Sequence, residues 1–197
     1  MEATATLRER KKEATRQALY EAVLRLALER GLDDVTVEAV ADEANVSRRT
    51  FSNYFANKED ALLHGDRTRI DKLLDGLRER PRDEPPWRAL TMAAAAQFDP
   101  LTSIDASWLA QLQLLRRHPS LLARQVTAQG ILEQQLAAMI AERDPGHPDE
   151  PMRSRVLAAT FLATLRTATT VWAEQKGPMP LGAAVRAALD RAAEAFA

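Results

Sequence analysis

The sequence predicts an all-α chain of about nine helices, a small N-terminal three-helix unit followed by a larger helical bundle. Three observations carry this. Aromatics are only 5% of residues while Ala, Leu, Arg and Glu abound, a mixture whose side chains lose little freedom in a helix. All ten prolines lie at or after Pro81, in a few clusters that read as helix boundaries, because proline inside a helix costs about 3 kcal/mol or more. Between those clusters the apolar residues recur mostly at helical spacing, and no alternating run bounded by turn signals suggests a strand.

The first helix is expected from Leu7 to Arg30, with Leu19, Val23, Leu26 and Ala27 on its inner face and Gly31 as its stop. Thr36 can cap a short second helix from Val37 to Ala44, and Ser47 a third helix reaching about Tyr54. The tight connection between them needs a residue that tolerates the left-handed conformation, and Asn45 is acceptable there. Asn57 then caps a longer fourth helix, roughly Lys58 to Arg80, with Glu59 and Asp60 in the first turn where acids favour a helix N-terminus. Further helices are expected near 86–98, 103–117, 120–143, 152–176 and 181–196.

Composition removes several function classes. The chain has no cysteine, so disulfides, zinc-thiolate sites and thiol catalysis are excluded. The three histidines, His64, His118 and His147, are scattered without metal-ligand spacing, so no metal is expected. There is no G-x-S-x-G and no phosphate-binding glycine loop, so neither an enzyme nor a bound cofactor is expected. The N-terminus holds no apolar stretch of the secretory kind, and a cytoplasmic protein is expected. The formal net charge of -1 gives no global sign of nucleic-acid binding, so any such function must rest on local charge.

Local charge is present. No acid occurs between Ala44 and Lys58, yet Arg48, Arg49 and Lys58 do. Phe51 and Phe55, four apart, can anchor the buried side of the third helix and leave Ser47, Arg48, Arg49, Thr50 and Asn53 outward. A helix of this kind fits the DNA major groove, where arginine pairs with guanine acceptors and asparagine with adenine. Thr36, Ser47, Tyr54 and Lys58 suit phosphate oxygens, which fix register rather than sequence. The basic run Arg8 to Lys12 either reaches a neighbouring phosphate or groove, or is a solvated helix start.

Residues 14–63, with "VTVEAVADEANVS" and the aromatic-rich "TFSNYFANKEDAL", resemble the N-terminal domain of the tetracycline-repressor (TetR) family of transcriptional regulators. Asn45 stands where that family commonly has a turn glycine, and Ser52 where it commonly has an aromatic. The resemblance implies a DNA-binding domain over 1–57 and an effector-binding and dimerisation domain over 58–197. It implies DNA contacts at Thr36, Ser47, Arg48, Arg49, Thr50, Asn53, Tyr54 and Lys58. It also implies double-stranded operator DNA and a small-molecule effector as partners. The competing reading is a helical small-molecule-binding protein without DNA function.

The C-terminal two thirds is less specific. "VLAATFLATLRTATTVWA", Val156 to Ala173, is charged only at Arg166. A membrane span is disfavoured by its threonines, its arginine and its bare sufficiency of length. A helix apolar nearly all round is instead expected to be buried on several sides. The family resemblance implies a homodimer; in such a dimer the penultimate helix would pack on its own core and on the partner, and the last helix, whose small residues suit close approach, could join it in a four-helix interface. Arg166 can meet an anionic ligand, a protein carboxylate or solvent; unpaired burial of its charge would be costly. Trp87, Phe98, Trp108, Leu112, Phe161 and Leu165 can line an apolar pocket or simply pack the core. "LLRRHPSLLARQ" and "LRTATTVWAEQ" are similar to the mycofactocin-associated branch of the same family, which implies a fatty acyl or acyl-CoA-like effector.

Overall fold

The computed structural model describes residues 6–98, 114, 118–175 and 179–194. Among the described residues there are nine helices and no strand. They are α1 (Leu7–Arg30), α2 (Val37–Glu43), α3 (Arg48–Tyr54), α4 (Lys58–Leu62), α5 (His64–Glu79), α6 (Pro86–Phe98), α7 (Pro119–Arg143), α8 (Met152–Glu174) and α9 (Leu181–Ala193). The chain divides into two compact units, one of residues 1–69 and 106–122, the other of 70–105 and 123–197.

The first unit is built on α1. Its start is closed by a capping box, in which Glu9 N–H donates to Thr6 Oγ1 at 3.2 Å and Thr6 N–H to Glu9 Oε2 at 2.7 Å. Its end is Gly31 at φ 85°, a conformation that strains a side chain. Between them Leu19, Tyr20, Val23, Leu24, Leu26 and Ala27 are buried, and α1 packs against α2 and α4. Val40, Ala41, Phe51, Phe55, Ala61 and Leu62 complete the core, together with Leu114 and Leu121. Burial of a side chain such as Phe51 or Leu62 is worth roughly 1.5–3 kcal/mol.

The long fourth helix expected over Lys58 to Arg80 is two helices. The chain turns at Leu63 (φ -79°, ψ -3°) between α4 and α5. The residues around this joint are closely packed. Leu63 is 8% exposed, and Gly65 lies so close to Tyr20 that a Cβ there would sit 2.7 Å from the ring's Cζ. The remaining expected boundaries agree with the structure to within a few residues. The helix expected over 103–117 falls, Leu114 apart, outside the described residues, as do Trp108 and Leu112.

In the second unit proline sets the helix starts. Pro86 and Pro119 are first residues of α6 and α7, and Pro151 and Pro180 precede α8 and α9. The core is drawn from Leu73, Leu74 and Leu77 of α5, Ala89, Leu90 and Ala93 of α6, Leu132, Leu136 and Ile140 of α7, Leu157 and Phe161 of α8, and Val185 and Leu189 of α9. Arg143, the last residue of α7, donates to Pro81 O at 2.6 Å, to Arg80 O at 3.2 Å and to Leu77 O. A cation thus meets the carbonyls left unsatisfied at the end of α5.

By length and composition α8 is apolar enough to cross a membrane, with a mean hydropathy of 1.3 over its best window. In the structure its buried residues, among them Leu157, Ala158, Phe161, Ala168 and Trp172, face its own unit, and α9 packs along it. Only 33% of that window is buried within the chain, so a second side of the helix is left open.

Candidate nucleic-acid interface

Helices α2 and α3 form a helix-turn-helix whose ends are fixed by short polar side chains. Thr36 Oγ1 accepts from Ala39 N–H at 3.2 Å, and Ser47 Oγ accepts from Thr50 N–H at 3.0 Å. Between the helices Asn45 takes φ 53°, the left-handed conformation expected of it, and Val46 N–H closes the turn on Ala41 O at 2.9 Å. An ion pair of Arg25 with Glu43 ties α2 to α1.

The orientation of α3 follows from Phe51 and Phe55, which are 1% and 4% exposed with ring centroids 6.0 Å apart. Anchoring that side turns Arg48, Arg49, Ser52 and Asn53 outward on one exposed face. Ser52, which departs from the family pattern, stands on that same face. Arg48 Nη1 lies 2.9 Å from Glu38 Oε1 of α2, with both side chains largely in solvent. Thr50 is half-buried and hydrogen-bonds Ser47 through its hydroxyl at 2.8 Å. Tyr54 is half-buried, with the Arg16 guanidinium 5.9 Å from its ring centroid. Arg8, Arg10, Lys11 and Lys12 are exposed on the first turns of α1, which is capped rather than frayed.

Lys58 is placed differently from its expected position at a phosphate. Its Nζ donates to three backbone carbonyls of the α1–α2 connection, Leu32 at 2.7 Å, Asp33 at 3.0 Å and Val35 at 2.8 Å. An ammonium has three protons, and all three have acceptors. Sequence spacing could not find this, because the acceptors are main-chain atoms.

Of the residues expected to line a ligand pocket, Trp108 and Leu112 lie outside the described residues. Trp87 meets Phe161 edge to face at 6.3 Å, Phe98 and Phe161 are buried, and Leu165 is half-buried. Arg166 is exposed on α8, so its charge needs no buried partner. An open groove of about 700 Å³ lies between α8 and α9. It is lined by Thr160, Ala163, Thr164, Val171, Ala187 and Arg191 among others. No cluster suited to a metal ion occurs among the described residues.

A capped, tightly turned helix-turn-helix with a basic outer helix face, carried on an otherwise helical chain, defines a DNA-binding transcription regulator. Residues 19–64 match the family described as bacterial regulatory proteins, tetR family, and residues 84–197 match the MftR C-terminal domain. The chain belongs to the tetR family of bacterial regulatory proteins. It is 33% identical to the HTH-type transcriptional regulator TcmR of Streptomyces glaucescens, over 84% of this chain and 76% of that protein. Two solved structures share its fold. SmeT, the repressor of a Stenotrophomonas maltophilia multidrug efflux pump, superposes with a TM-score of 0.67 at 19% identity, covering 93% of this chain and 91% of that one. The regulator FadR of Bacillus subtilis in complex with stearoyl-CoA gives a TM-score of 0.65 at 20% identity, covering 89% and 96%.

Proposed function

We propose that this regulator is a cytoplasmic repressor that binds a pseudo-palindromic operator as a homodimer and is released by a small-molecule effector. The observation that carries this reading is the exposed Arg48–Arg49–Asn53 face of α3, held outward by buried Phe51 and Phe55. Arg48, Arg49 and Asn53 would read base edges, while Thr36, Ser47, Thr50 and Tyr54 would hold the phosphate backbone or support the reading face. Function divides between a DNA-binding domain over 1–57 and an effector and dimer domain over 58–197.

The homodimer is proposed through α8 and α9. The open side of α8 and the apolar groove it shares with α9 support this, since a second copy would bury both. Dimeric binding requires recognition helices about 34–36 Å apart for adjacent major grooves. The effector is proposed to be acyl-CoA-like. The match to the MftR C-terminal domain and the fold shared with a stearoyl-CoA-binding regulator support that class. For release, the effector must bind the DNA-incompetent conformation more tightly than the competent one.

Selection of an operator from random DNA by the full-length protein tests the reading. Arg48→Ala with Arg49→Ala should then lower operator affinity by at least about tenfold, since one good bidentate base contact is worth roughly 1–3 kcal/mol. Unchanged affinity in the folded double variant would overturn the assignment of α3. Failure to select any sequence would favour a helical small-molecule-binding protein without DNA function. Mass spectrometry of co-purifying ligand addresses the effector class.

A further inference from the structure

We propose that Lys58 is a positioning residue for DNA recognition: its ammonium clamps the α1–α2 connection against the start of α4 and so sets where α2 and α3 lie. The inference rests on the operator-binding reading above. It assigns Lys58 a role different from the phosphate contact its position in the sequence suggests.

The geometry carries the argument. Lys58 is the first residue of α4, and its Nζ reaches back 23 to 26 residues to the carbonyls of Leu32, Asp33 and Val35 at 2.7–3.0 Å. These carbonyls belong to a connection with little regular pairing of its own. Leu32 O also accepts the Val35 N–H at 3.2 Å, and Leu32 and Val35 bury their side chains at 2% and 3% exposure. The next residue is Thr36, the N-cap of α2. α2 has 7 residues, its Val40 and Ala41 are buried in the same core, and its far end passes through Asn45 into α3. A shift of the connection therefore moves the cap of α2, and with it the arginine-bearing face of α3.

The cation could reach a phosphate only by leaving at least one carbonyl without its donor. Loss of a charge-assisted hydrogen bond to a partly buried acceptor is unfavourable, so DNA gains little by extracting it. Arginine is a poor substitute, because its planar fork cannot aim three donors at three acceptors converging on one point.

That difference supplies the test. Wild type, Lys58→Met and Lys58→Arg are titrated with the operator selected by wild type and with a random-sequence duplex, from 50 to 200 mM salt. The clamp predicts that both variants, folded by circular dichroism, lose at least tenfold in operator affinity. Lys58→Arg should keep its affinity for the random duplex, and the salt slope of both should stay near that of wild type. Lys58→Arg binding like wild type would overturn the proposal. So would a drop of about 0.9 in the salt slope of Lys58→Met, with operator and random binding falling together, because that is the signature of a lost phosphate contact. Operator affinity unchanged in both folded variants would reduce the clamp to stability alone and also overturn it.

Two readouts need neither a selected operator nor a folded variant. In wild type the Lys58 ammonium should give a slowly exchanging 15N resonance that is unmoved when DNA is added. A resonance that exchanges freely, or shifts on binding, sinks the clamp whether or not an operator is ever found.

Discussion

Arg48 Nη1 lies 2.9 Å from Glu38 Oε1, so the first turn of α3 is paired with the first turn of α2 across the helix-turn-helix. The pair is solvent-exposed, with side chains 73% and 54% accessible, and exposed pairs contribute little to stability. Its consequence lies in recognition. In the proposed complex, Glu38 would compete with a base for the Arg48 guanidinium and would bring a negative charge towards the phosphates. Glu38→Gln should therefore tighten operator binding by up to about fivefold at 50 mM salt, with a smaller gain at 200 mM where screening is stronger. Weaker binding by this variant would mean that Glu38 orients Arg48 rather than restraining it.

Gly65 marks the joint between α4 and α5 for a different reason than backbone freedom. A Cβ on it would stand 2.7 Å from Cζ and 2.8 Å from the hydroxyl of Tyr20, a side chain only 4% exposed. The Tyr20 ring cannot retreat without disturbing the core around α1. Alanine at 65 gains helix propensity of about 1 kcal/mol but meets overpacking of roughly 1–3 kcal/mol. Gly65→Ala should lower stability on balance, as read from urea denaturation. Adding Tyr20→Leu should restore part of the loss, so that the two changes are less than additive. Fully additive losses would show that the two residues do not conflict.

How much of this was legible in the sequence depends on the length scale of each interaction. Thr36, Ser47 and Asn57 were readable as caps because each bonds an amide three residues on. Phe51 and Phe55 were readable because four residues make one helical turn, and Asn45 because few residues accept a left-handed turn. Lys58 and Arg143 were not, since their acceptors are main-chain carbonyls up to 66 residues away. No side-chain pattern announces a carbonyl. For Arg166 the exposed alternative among those left open is the one seen in the chain. The neighbours of Arg166 are apolar, but five helical residues from Phe161 turn it about 140° away from the buried side, into solvent. The close approach of Gly65 to the Tyr20 ring, beside the turn at Leu63, was hidden because it is a tertiary contact between α1 and α5.

The corner after α5 should respond to acid. Glu84, with a side chain 8% exposed, accepts from Arg80 Nε and Nη2 at 2.7 Å each and lies 3.4 Å from Arg88. The hydrogen bonds from Arg80 hold its carboxyl below the usual carboxylate range against the opposing effect of burial, and the charges of Arg80, Arg88 and Arg143 add to them. Because the folded value lies below the unfolded one of about 4.3, the stabilisation is fully present above that pH. It is lost only as pH falls through the depressed folded value. Glu84→Gln should therefore lower the thermal midpoint by a few degrees at pH 7, on the scale of roughly 2–4 °C per kcal/mol for a chain of this size. The gap between variant and wild type should hold down to about pH 5, narrow below about pH 4 and close once Glu84 is protonated. Thermal melts of the two proteins from pH 7 to pH 3 measure it. A gap that stays constant across that range would assign the contribution of Glu84 to packing instead of charge.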